Sequence, residues 1–563
     1  MKIWLIYPYF IEQRIHSEEI AAVPMGLYYI GAMLKSRGHT VEILNWHARP
    51  DAPEAIRRAL AAGRPDLIGF SILHANRWGA IDIARTAKAL DPDLPVVLGG
   101  VGATFLWEHL LTHFEQIDYI VLGEGEWTML KLVQALENHA PAEQLAAIPG
   151  LALRTPAGPV KTAEPEPIQD LDALPPPARY FDFQHLSLTR GCPGRCTFCG
   201  SPGFWGRRVR SHSADYFVDQ LTRLAARGIT FFYVSDDTFT LDCERVIQVC
   251  REIVQRGLKI TWQAISKVNA VNAEMLFWMR KAGCVQLSYG VENGSAQIRR
   301  LLCKDIRSDQ IRRAFDLTVA HGLMARAYFI YGCPGENDET IGQTLDLIRE
   351  IRPLSAIFYI LDIFPGTALY EAYKQRTGAT DDIWLERRED ILYFETDPDL
   401  DQEQVLAFGR RLRGTYHQWL PWMAARIRLN DDPRLRAEQA DFLSRLALTF
   451  SHGDYAAVLN PESALDTARM LFERALSLYP DHRAFWGAAL LHQARRDPHA
   501  AAAVLKEGLA HFPHSRELNI CLGIAYADQG CWQQALEQLL PYEKMPEAAA
   551  HVQRCRKALG MVA

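Results

Sequence analysis

The chain has 563 residues, and its 61 Lys and Arg against 67 Asp and Glu give a net charge of −6. Apolar residues make up 48% and charged residues 23%, so the chain can bury large cores and is not disordered throughout. At about 150 residues per domain, three to four domains are expected. The charge balance excludes a large basic field for nucleic acid, and no apolar run reaches the ~18 residues of a transmembrane helix.

The distribution of cysteine predicts the cellular compartment. All 11 cysteines lie at or after Cys192, which is not the pattern of a small disulfide-stabilised domain. The apolar run at the N-terminus is too short for a secretory signal. We therefore expect a cytoplasmic protein.

Residues 1–140 alternate short apolar runs with helical stretches. The predicted strands are MKIWLIYP, TVEILN, DLIGFSI, PVVLGG and DYIVLG. Strands separated by helices of about 10–15 residues indicate parallel βαβ units. The sequence therefore predicts a doubly wound, Rossmann-like α/β domain, with ligands beyond the carboxyl ends of its strands.

Residues 141–183 are predicted to be a linker, because they are rich in proline and acid and three consecutive prolines favour an extended chain. The βα alternation returns over residues 184–380. Its strand candidates are HLSLTRG, ITFFYVSDD, KITWQAI, CVQLSYGVE, ARAYFIYG and SAIFYILDIF. Six such units are typical of a partial or closed (β/α)6 barrel, whose site lies at the carboxyl ends of the strands.

The remainder of the chain is predicted to be all-α. Residues 381–460 are expected to form a helical extension. Residues 461–563 contain an internal repeat in which Pro480 and Pro513 occupy equivalent positions, 33 residues apart. That period is close to the 34-residue tetratricopeptide repeat. Such an array binds peptides or mediates assembly; the alternative is a helical cap that only stabilises the barrel.

Three closely spaced cysteines carry the strongest chemical signal. Cys192, Cys196 and Cys199 follow the predicted strand LSLTRG. Three thiolates hold three irons of a cubane cluster and leave the fourth iron free to bind a small chelating substrate. Zinc is the competing interpretation, but a structural zinc needs a fourth ligand and no partner pair is evident downstream. A chance group of structural thiols is the third interpretation.

The Cys-x3-Cys-x2-Cys loop resembles that of the radical S-adenosylmethionine (radical SAM) superfamily. Further segments between residues 184 and 375 resemble motifs of the same superfamily: RRVRSHSADYFVDQL, FFYVSDDTFTLD, GVENGSAQIRRLLCK, YGCPGENDET and FPGTALYE. The resemblance implies a [4Fe–4S] cluster on the three cysteines that reductively cleaves S-adenosylmethionine to a 5′-deoxyadenosyl radical. That radical abstracts hydrogen from the substrate, while the protein positions the reactants and excludes water.

The same resemblance implies roles for other residues. Phe198 is expected to pack near the adenine. Asp236 or Asp237, at a predicted strand end, is expected to contact the methionine ammonium; many members have Gly-Gly-Glu there, so which carboxylate acts is open. Glu292 is a candidate contact to the nucleoside. Arg326 is expected to pair with the methionine carboxylate, since arginine suits bidentate geometry. The alternative for the aspartates and Arg326 is a cap or a salt bridge.

The N-terminal domain resembles the cobalamin-binding domain that precedes many radical SAM barrels. The candidate cofactor-binding residues follow the predicted strands and are Ser71, Gly99, Gly100, Gly102, Gly123 and Gly125. Glycines permit close approach to a backbone. The Asp-x-His-x-x-Gly signature of classical corrinoid domains is missing, and His16, His47 and His74 are not in that context. The alternative is a domain that keeps the fold and binds no corrinoid.

Three functions follow from the resemblance. The leading hypothesis is a cobalamin-dependent methyltransferase acting on an unactivated carbon. The second is a cobalamin-dependent oxidoreductase or cyclase without methyl transfer, and the third is a non-catalytic scaffold that uses the helical repeats. The expected partners are a small-molecule or peptide substrate, an electron donor such as flavodoxin or ferredoxin, and a protein bound to the repeats.

Overall fold

The N-terminal domain is built on a seven-stranded sheet. The computed structural model describes residues 1–11, 22–48 and 53–561. The strands are β1 (Lys2–Tyr7), β2 (Thr40–Asn45), β3 (Leu67–Ser71), β4 (Val96–Gly99), β5 (Tyr119–Val121), β6 (Leu151–Thr155) and β7 (Gly158–Lys161). Their order is β2-β1-β3-β4-β5-β6-β7, with β1 to β5 parallel and the last two antiparallel. Ile3 of β1 stands opposite both Val41 and Leu67.

Helices cover both faces of this sheet. They are α1 (Met25–Ser36), α2 (Pro53–Gly63), α3 (Arg77–Leu90), α4 (Gly100–Phe105), α5 (Trp107–His113), α6 (Glu126–Glu137) and α7 (Ala142–Ala146). Alternate β1 side chains enter different cores: Ile6 packs with α2, α3 and α5, and Leu5 packs with α1 and α6. A sheet buried on both faces needs apolar residues at consecutive positions, which is why these strands are continuous apolar runs. The predicted doubly wound fold is confirmed.

The segment expected to be a linker contributes regular structure. Residues 141–183 contain α7, β6 and β7, and the last two extend the N-terminal sheet beyond β5. The two strands are joined by a tight turn in which Gly158 has φ +117°, a conformation that glycine adopts readily. Beyond β7 the chain continues to the sheet's core, where Leu171 and Leu174 are buried. The part of the segment after β7, which contains the consecutive prolines, has no strand.

The central domain contains a six-stranded parallel sheet. Its segment of the chain has β8 (His185–Leu186), β9 (Thr189–Arg190), β10 (Arg210–Ser211), β11 (Phe231–Val234), β12 (Thr261–Ser266), β13 (Cys284–Glu292), β14 (Met324–Tyr331) and β15 (Ser355–Ile360). The sheet order is β15-β14-β13-β12-β11-β8, while β9 and β10 form a separate antiparallel pair. Because β8 and β15 are both edge strands, the structure is the open form of the predicted (β/α)6 barrel.

The barrel helices follow the strands in the expected alternation. They are α8 (Ser201–Trp205), α9 (Ala214–Ala226), α10 (Cys243–Gln255), α11 (Ala273–Lys281), α12 (Ala296–Leu301), α13 (Ser308–Ala320), α14 (Asp338–Ile351) and α15 (Ala368–Thr377). Side chains accept backbone hydrogen bonds at several helix starts, including Ser213 before α9 and Asp242 before α10. These helices bury one face of the sheet and leave the strand ends for the site.

A segment after the barrel returns to the N-terminal domain. Residues 381–385 form a 3-10 turn, and the side chain of Trp384 is fully buried in the core beside α3. The guanidinium of Arg77 lies 4.7 Å from the Trp384 ring and donates hydrogen bonds to the carbonyl oxygens of Trp384 and Glu386. The region 381–460, expected to be helical, therefore begins with an irregular segment, residues 381–386, that packs the barrel against the N-terminal domain. We call these residues the strap.

The C-terminal region is all-α. Its helices are α16 (Gln402–Ala424), α17 (Arg436–Ser451), α18 (Asp454–Val458), α19 (Pro461–Leu478), α20 (His482–Ala494), α21 (Pro498–His511), α22 (Arg516–Asp528), α23 (Trp532–Leu539) and α24 (Pro546–Ala558). From α19 onward each helix packs against the next. Small residues allow close contacts: a Cβ on Gly487 would lie 2.1 Å from the Phe472 ring. Assignment to the tetratricopeptide class stays a prediction.

None of the helices among the described residues is long and apolar enough to cross a membrane.

Candidate active site

The three cysteines lie in the loop that leaves β9. All three are free thiols, with Cys192 buried and the others partly exposed. A Cβ added to Gly194 would lie 3.3 Å from Sγ of Cys192 and 3.9 Å from Sγ of Cys196, so both sulfurs face the same point. The loop begins at Gly191, whose φ of +105° and close approach to Arg208 O exclude a side chain. The backbone thus directs the thiols toward one another.

The number of thiols bears on the two metal hypotheses. Three cysteines on one loop can hold three irons of a cubane cluster and leave the fourth iron open. A structural zinc needs a fourth ligand beside the three. The three thiols therefore suit an iron–sulfur cluster with an open iron.

The environment of the thiols suits a metal rather than free thiolates. Burial raises the pKa of Cys196, and it raises the pKa of Cys199 to about 11. Metal ligation replaces the thiol proton, so such buried groups become thiolates when the cluster binds. Two ammonium groups, on Lys267 and Lys304, act on Cys196 and favour its anionic form.

The structure distinguishes the two aspartates after β11. Asp236 is buried, and its carboxylate accepts hydrogen bonds from the backbone N–H groups of Leu188 and Thr189 and from the Thr189 hydroxyl. Burial raises the pKa of Asp236 to about 7, against these donors. Asp237 is exposed toward the cavity and accepts a hydrogen bond from the Ser201 hydroxyl. Asp236 thus holds the backbone before the cysteine loop, and Asp237 keeps an accessible carboxylate.

Glu292 ends β13 next to the cluster loop. It has a positive φ of +65°, is buried, and pairs with Nζ of Lys304 at 2.7 Å. A Cβ on Gly290 would lie 2.3 Å from Oε1 of Glu292, so glycine is needed there for this pair to form. Although burial opposes it, the charges of Glu292 and Cys196 raise the pKa of Lys304. The pair places a carboxylate and an ammonium beside the cysteines.

The structure also places the two remaining barrel candidates, Phe198 in the cluster loop and Arg326 in β14. Phe198 packs against an apolar cluster that includes Leu302 and Cys333. Arg326 is the third residue of β14, and its Nε donates to the Ser355 hydroxyl at 2.9 Å. It stands five residues before the strand end, or roughly 17 Å at the usual rise per residue. The structure therefore does not bring Arg326 to the site, because its place in the strand puts it near the amino ends.

One cavity of about 590 Å³ lies between the two α/β domains. All six N-terminal candidates line it: Ser71, Gly99, Gly100, Gly102, Gly123 and Gly125. The barrel side is lined by Cys199, Ser201, Asp236 and Asp237. Most of the wall is apolar, with aromatic rings from Phe105, Phe204, Trp205 and Phe364. The carboxyl ends of both sheets thus open into the same space.

Two glycines shape the N-terminal wall of this cavity. Gly100 has φ +87°, and a Cβ there would lie 2.8 Å from the Ser71 hydroxyl oxygen. A Cβ on Gly102 would lie 2.5 Å from the carbonyl carbon of Leu73. Side chains at either position would push apart the loops after β3 and β4. The wall is therefore made largely of main chain, which fits a large cofactor such as cobalamin lying against it.

Two of the three histidines near strand ends, His47 and His74, lie among the described residues. His74 lines the cavity, where its Nε2 lies 2.9 Å from Oδ2 of Asp362 and its ring stacks on Phe364. His47 packs against the ring of Phe10. His16 lies outside the described residues. His74 is thus held by the loop after β15, which belongs to the barrel.

A buried ion network at the cavity was not predicted from the sequence. Arg190 of β9 donates to Glu124 at 2.9 Å and to Glu126 at 2.6 Å, and Arg210 of β10 donates to Glu124 at 2.6 Å. The four side chains are nearly inaccessible to solvent. Since the glutamates belong to the N-terminal domain and the arginines to the barrel, the network fixes one domain against the other.

The polar and aromatic side chains on the inner face of the barrel were also not predicted. His185 stacks on Tyr233, with ring centroids 4.6 Å apart, and the amide of Gln286 donates to Gln263. These residues alternate along their strands with buried apolar ones. Strict alternation of this kind was the available signal, since it assigns every second residue to the face away from the helices.

Comparison with known proteins agrees with this arrangement. The B12 binding domain family matches residues 20–133, and the Radical SAM superfamily matches residues 186–348. An uncharacterized methyltransferase of Pyrococcus horikoshii is 32% identical over 361 residues, which cover 62% of this chain and 78% of that protein. An anaerobic magnesium-protoporphyrin IX monomethyl ester cyclase of Rubrivivax gelatinosus is 28% identical over 383 residues, covering 64% and 69%.

A solved structure shows the same fold. The radical SAM methyltransferase TsrM of Kitasatospora setae, with cobalamin and a [4Fe–4S] cluster bound, superposes with a TM-score of 0.60 at 18% identity, over 84% of this chain and 99% of that one. Both domain families, the first relative and the cavity between the domains lead to one conclusion. The chain belongs to the radical SAM enzymes that carry an N-terminal B12-binding domain.

Proposed function

We propose that this chain is a cobalamin-dependent radical SAM methyltransferase acting on an unactivated carbon. The observation that carries the proposal is the cavity shared by the two domains, because its walls contain both the glycine-rich ends of the N-terminal sheet and Cys199 of the cluster loop. Two cofactors facing one space can act on one substrate. The Pyrococcus horikoshii relative, named as a methyltransferase, supports the same reaction class.

The residues of this chain have separable tasks. Cys192, Cys196 and Cys199 hold the cluster, and Asp237 presents its carboxylate to the ammonium of S-adenosylmethionine. Asp236 fixes the backbone that leads into the cysteine loop. The cofactors supply a hydrogen-abstracting radical and a transferable methyl group. The apolar cavity wall keeps water away from the reacting carbon.

An alternative reaction is hydrogen abstraction followed by oxidation or ring closure without methyl transfer. The Rubrivivax gelatinosus relative, named as a cyclase, favours this possibility. The two reactions consume S-adenosylmethionine differently. Methyl transfer converts one molecule to S-adenosylhomocysteine and another to 5′-deoxyadenosine, whereas cyclisation yields 5′-deoxyadenosine without cobalamin-dependent S-adenosylhomocysteine.

The test is to quantify both products from the reconstituted enzyme, with and without cobalamin, under anaerobic reducing conditions. We expect S-adenosylhomocysteine that requires cobalamin, and loss of 5′-deoxyadenosine in the Cys199→Ala variant. The exposed Asp399→Asn change serves as a control that retains both products. Formation of 5′-deoxyadenosine alone would favour the cyclase alternative, and absence of both products with a full cluster would favour the scaffold.

A basic groove beside the cluster suits an acidic electron donor. It has a volume of about 880 Å³ and includes Cys196 together with Arg195, Lys267, Arg300 and Arg307. Complementary charge steers association and makes it sensitive to salt. A flavodoxin or ferredoxin docking here would approach the cluster at Cys196, whereas Cys199 lines the other cavity. That the substrate is a small molecule or a peptide, and that the C-terminal helices bind a protein, also belong to this proposal.

A further inference from the structure

Two histidines and an aspartate meet where α5 of the N-terminal domain faces the strap. His109 and His113 lie one turn apart on α5, and Asp382 belongs to the strap after the barrel. Oδ1 of Asp382 lies 3.3 Å from Nε2 of His113 and 3.9 Å from Nδ1 of His109. The three ligand atoms all lie within 4.8 Å of one another.

We propose that His109, His113 and Asp382 form a zinc site that joins the N-terminal domain to the strap. Zinc is held tetrahedrally by imidazole nitrogen and carboxylate oxygen at about 2.0–2.2 Å, which separates neighbouring ligand atoms by roughly 3.3 Å. The distance from Oδ1 of Asp382 to Nε2 of His113 already equals this separation. The distance from Oδ1 of Asp382 to Nδ1 of His109 is 3.9 Å, so these two atoms must approach by well under 1 Å. Histidines four residues apart on a helix project from the same face.

The state of His109 favours a metal over a simple ion pair. Its side chain is almost wholly buried, and its Nδ1 lies 3.9 Å from Oδ1 of Asp382, which is too far for a hydrogen bond. A neutral imidazole gains little from a carboxylate but ligates a cation well.

The site has room for an exchangeable fourth ligand. His113 and Asp382 have 34% and 63% of their side chains exposed, so water can complete the coordination. The anchor of the strap lies nearby, where Arg77 covers Trp384. Zinc would therefore reinforce an existing contact between the barrel and the N-terminal domain, rather than create a second catalytic centre.

The experiment measures zinc and iron together. Reconstituted enzyme is equilibrated anaerobically with one equivalent of Zn²⁺ per chain, desalted and analysed by mass spectrometry for both metals per chain. The site variants are His113→Ala and Asp382→Asn, both at exposed positions. The matched controls are His499→Ala and Asp399→Asn, also exposed and away from the site. X-ray absorption at the zinc edge of the wild-type protein identifies the ligand atoms without any substitution.

We expect one more zinc per chain in the wild type and both controls than in either site variant, with equal iron in all five proteins. We also expect a zinc shell of nitrogen and oxygen, and a thermal midpoint that rises with zinc only where the site is intact. Equal zinc in all five proteins, or sulfur in the zinc shell, would overturn the proposal. Neither result would affect the methyltransferase proposal, which does not use this site.

Discussion

Replacing Arg190 with methionine removes the cation that connects the barrel to two glutamates of the N-terminal domain. Arg190 donates to Glu124 and Glu126 and lies 5.0 Å from the ring of Tyr29 and 5.2 Å from that of Trp205. In the variant Glu124 keeps its bond to Arg210, but Glu126 loses its partner. A buried carboxylate then remains without a countercharge.

The expected cost is large. Breaking a buried ion pair by removing one partner destabilises proteins by about 3–5 kcal/mol. The two ring contacts are part of the same loss, since a cation near an aromatic face contributes on the order of 1 kcal/mol. Arg190→Lys keeps one charge but cannot engage both carboxylates, so its cost should lie between that of the wild type and that of Arg190→Met.

The assay is equilibrium unfolding in urea, analysed on the first cooperative transition because a chain of several domains does not unfold in two states. Arg312→Met is the control, since it breaks an exposed pair with Glu350 that is expected to contribute at most about 1 kcal/mol. A loss of about 3–5 kcal/mol for Arg190→Met and little for Arg312→Met is expected. Equal losses for the two variants would refute the view that the buried network holds the domains together.

Three further predictions concern the site. Asp237→Asn should weaken S-adenosylmethionine binding about 10-fold by equilibrium dialysis, because a charged hydrogen bond is lost, whereas unchanged affinity would remove Asp237 from the site. Although burial opposes it, Arg210 and Arg190 lower the pKa of Glu124. The ionised Glu124 carboxylate should therefore stabilise the fold fully above about pH 4.5, and this stabilisation should be lost as the pH falls further. Acid unfolding of wild type and Glu124→Gln measures this, and parallel curves would contradict it. Gly102→Ala should cost about 1–3 kcal/mol and release cobalamin, with retained cobalt as the opposing result.

Local patterns in the sequence predict the cluster site. Cys192, Cys196 and Cys199 lie within eight residues, so their spacing alone indicates a shared metal. The strand ends carrying Asp237 and Glu292 were found for a related reason, because polar residues directly after apolar runs lie at the carboxyl edge of a parallel sheet. The short hairpin of β6 and β7 escaped notice because the prolines beside it dominated the pattern.

Contacts between segments that are far apart in the sequence could not be predicted from it. Arg190 and Glu124 are 66 residues apart, and His109 and Asp382 are 273 apart, so no local pattern pairs them. The distance of Arg326 from the strand ends could not be predicted for a different reason. Its chemistry suits a carboxylate ligand, but its distance from the site depends on where β14 begins, and strand boundaries are poorly determined by propensity.

The most direct test of the two-cofactor site is the metal content of one sample. The protein is expressed anaerobically, reconstituted with iron, sulfide and cobalamin, and desalted before iron, sulfide and cobalt are counted per chain. We expect about four irons with matching sulfide and about one cobalt, as a [4Fe–4S] cluster and one corrinoid require. Four irons without cobalt would contradict the shared cavity as a cobalamin site and would leave the N-terminal domain without its proposed cofactor.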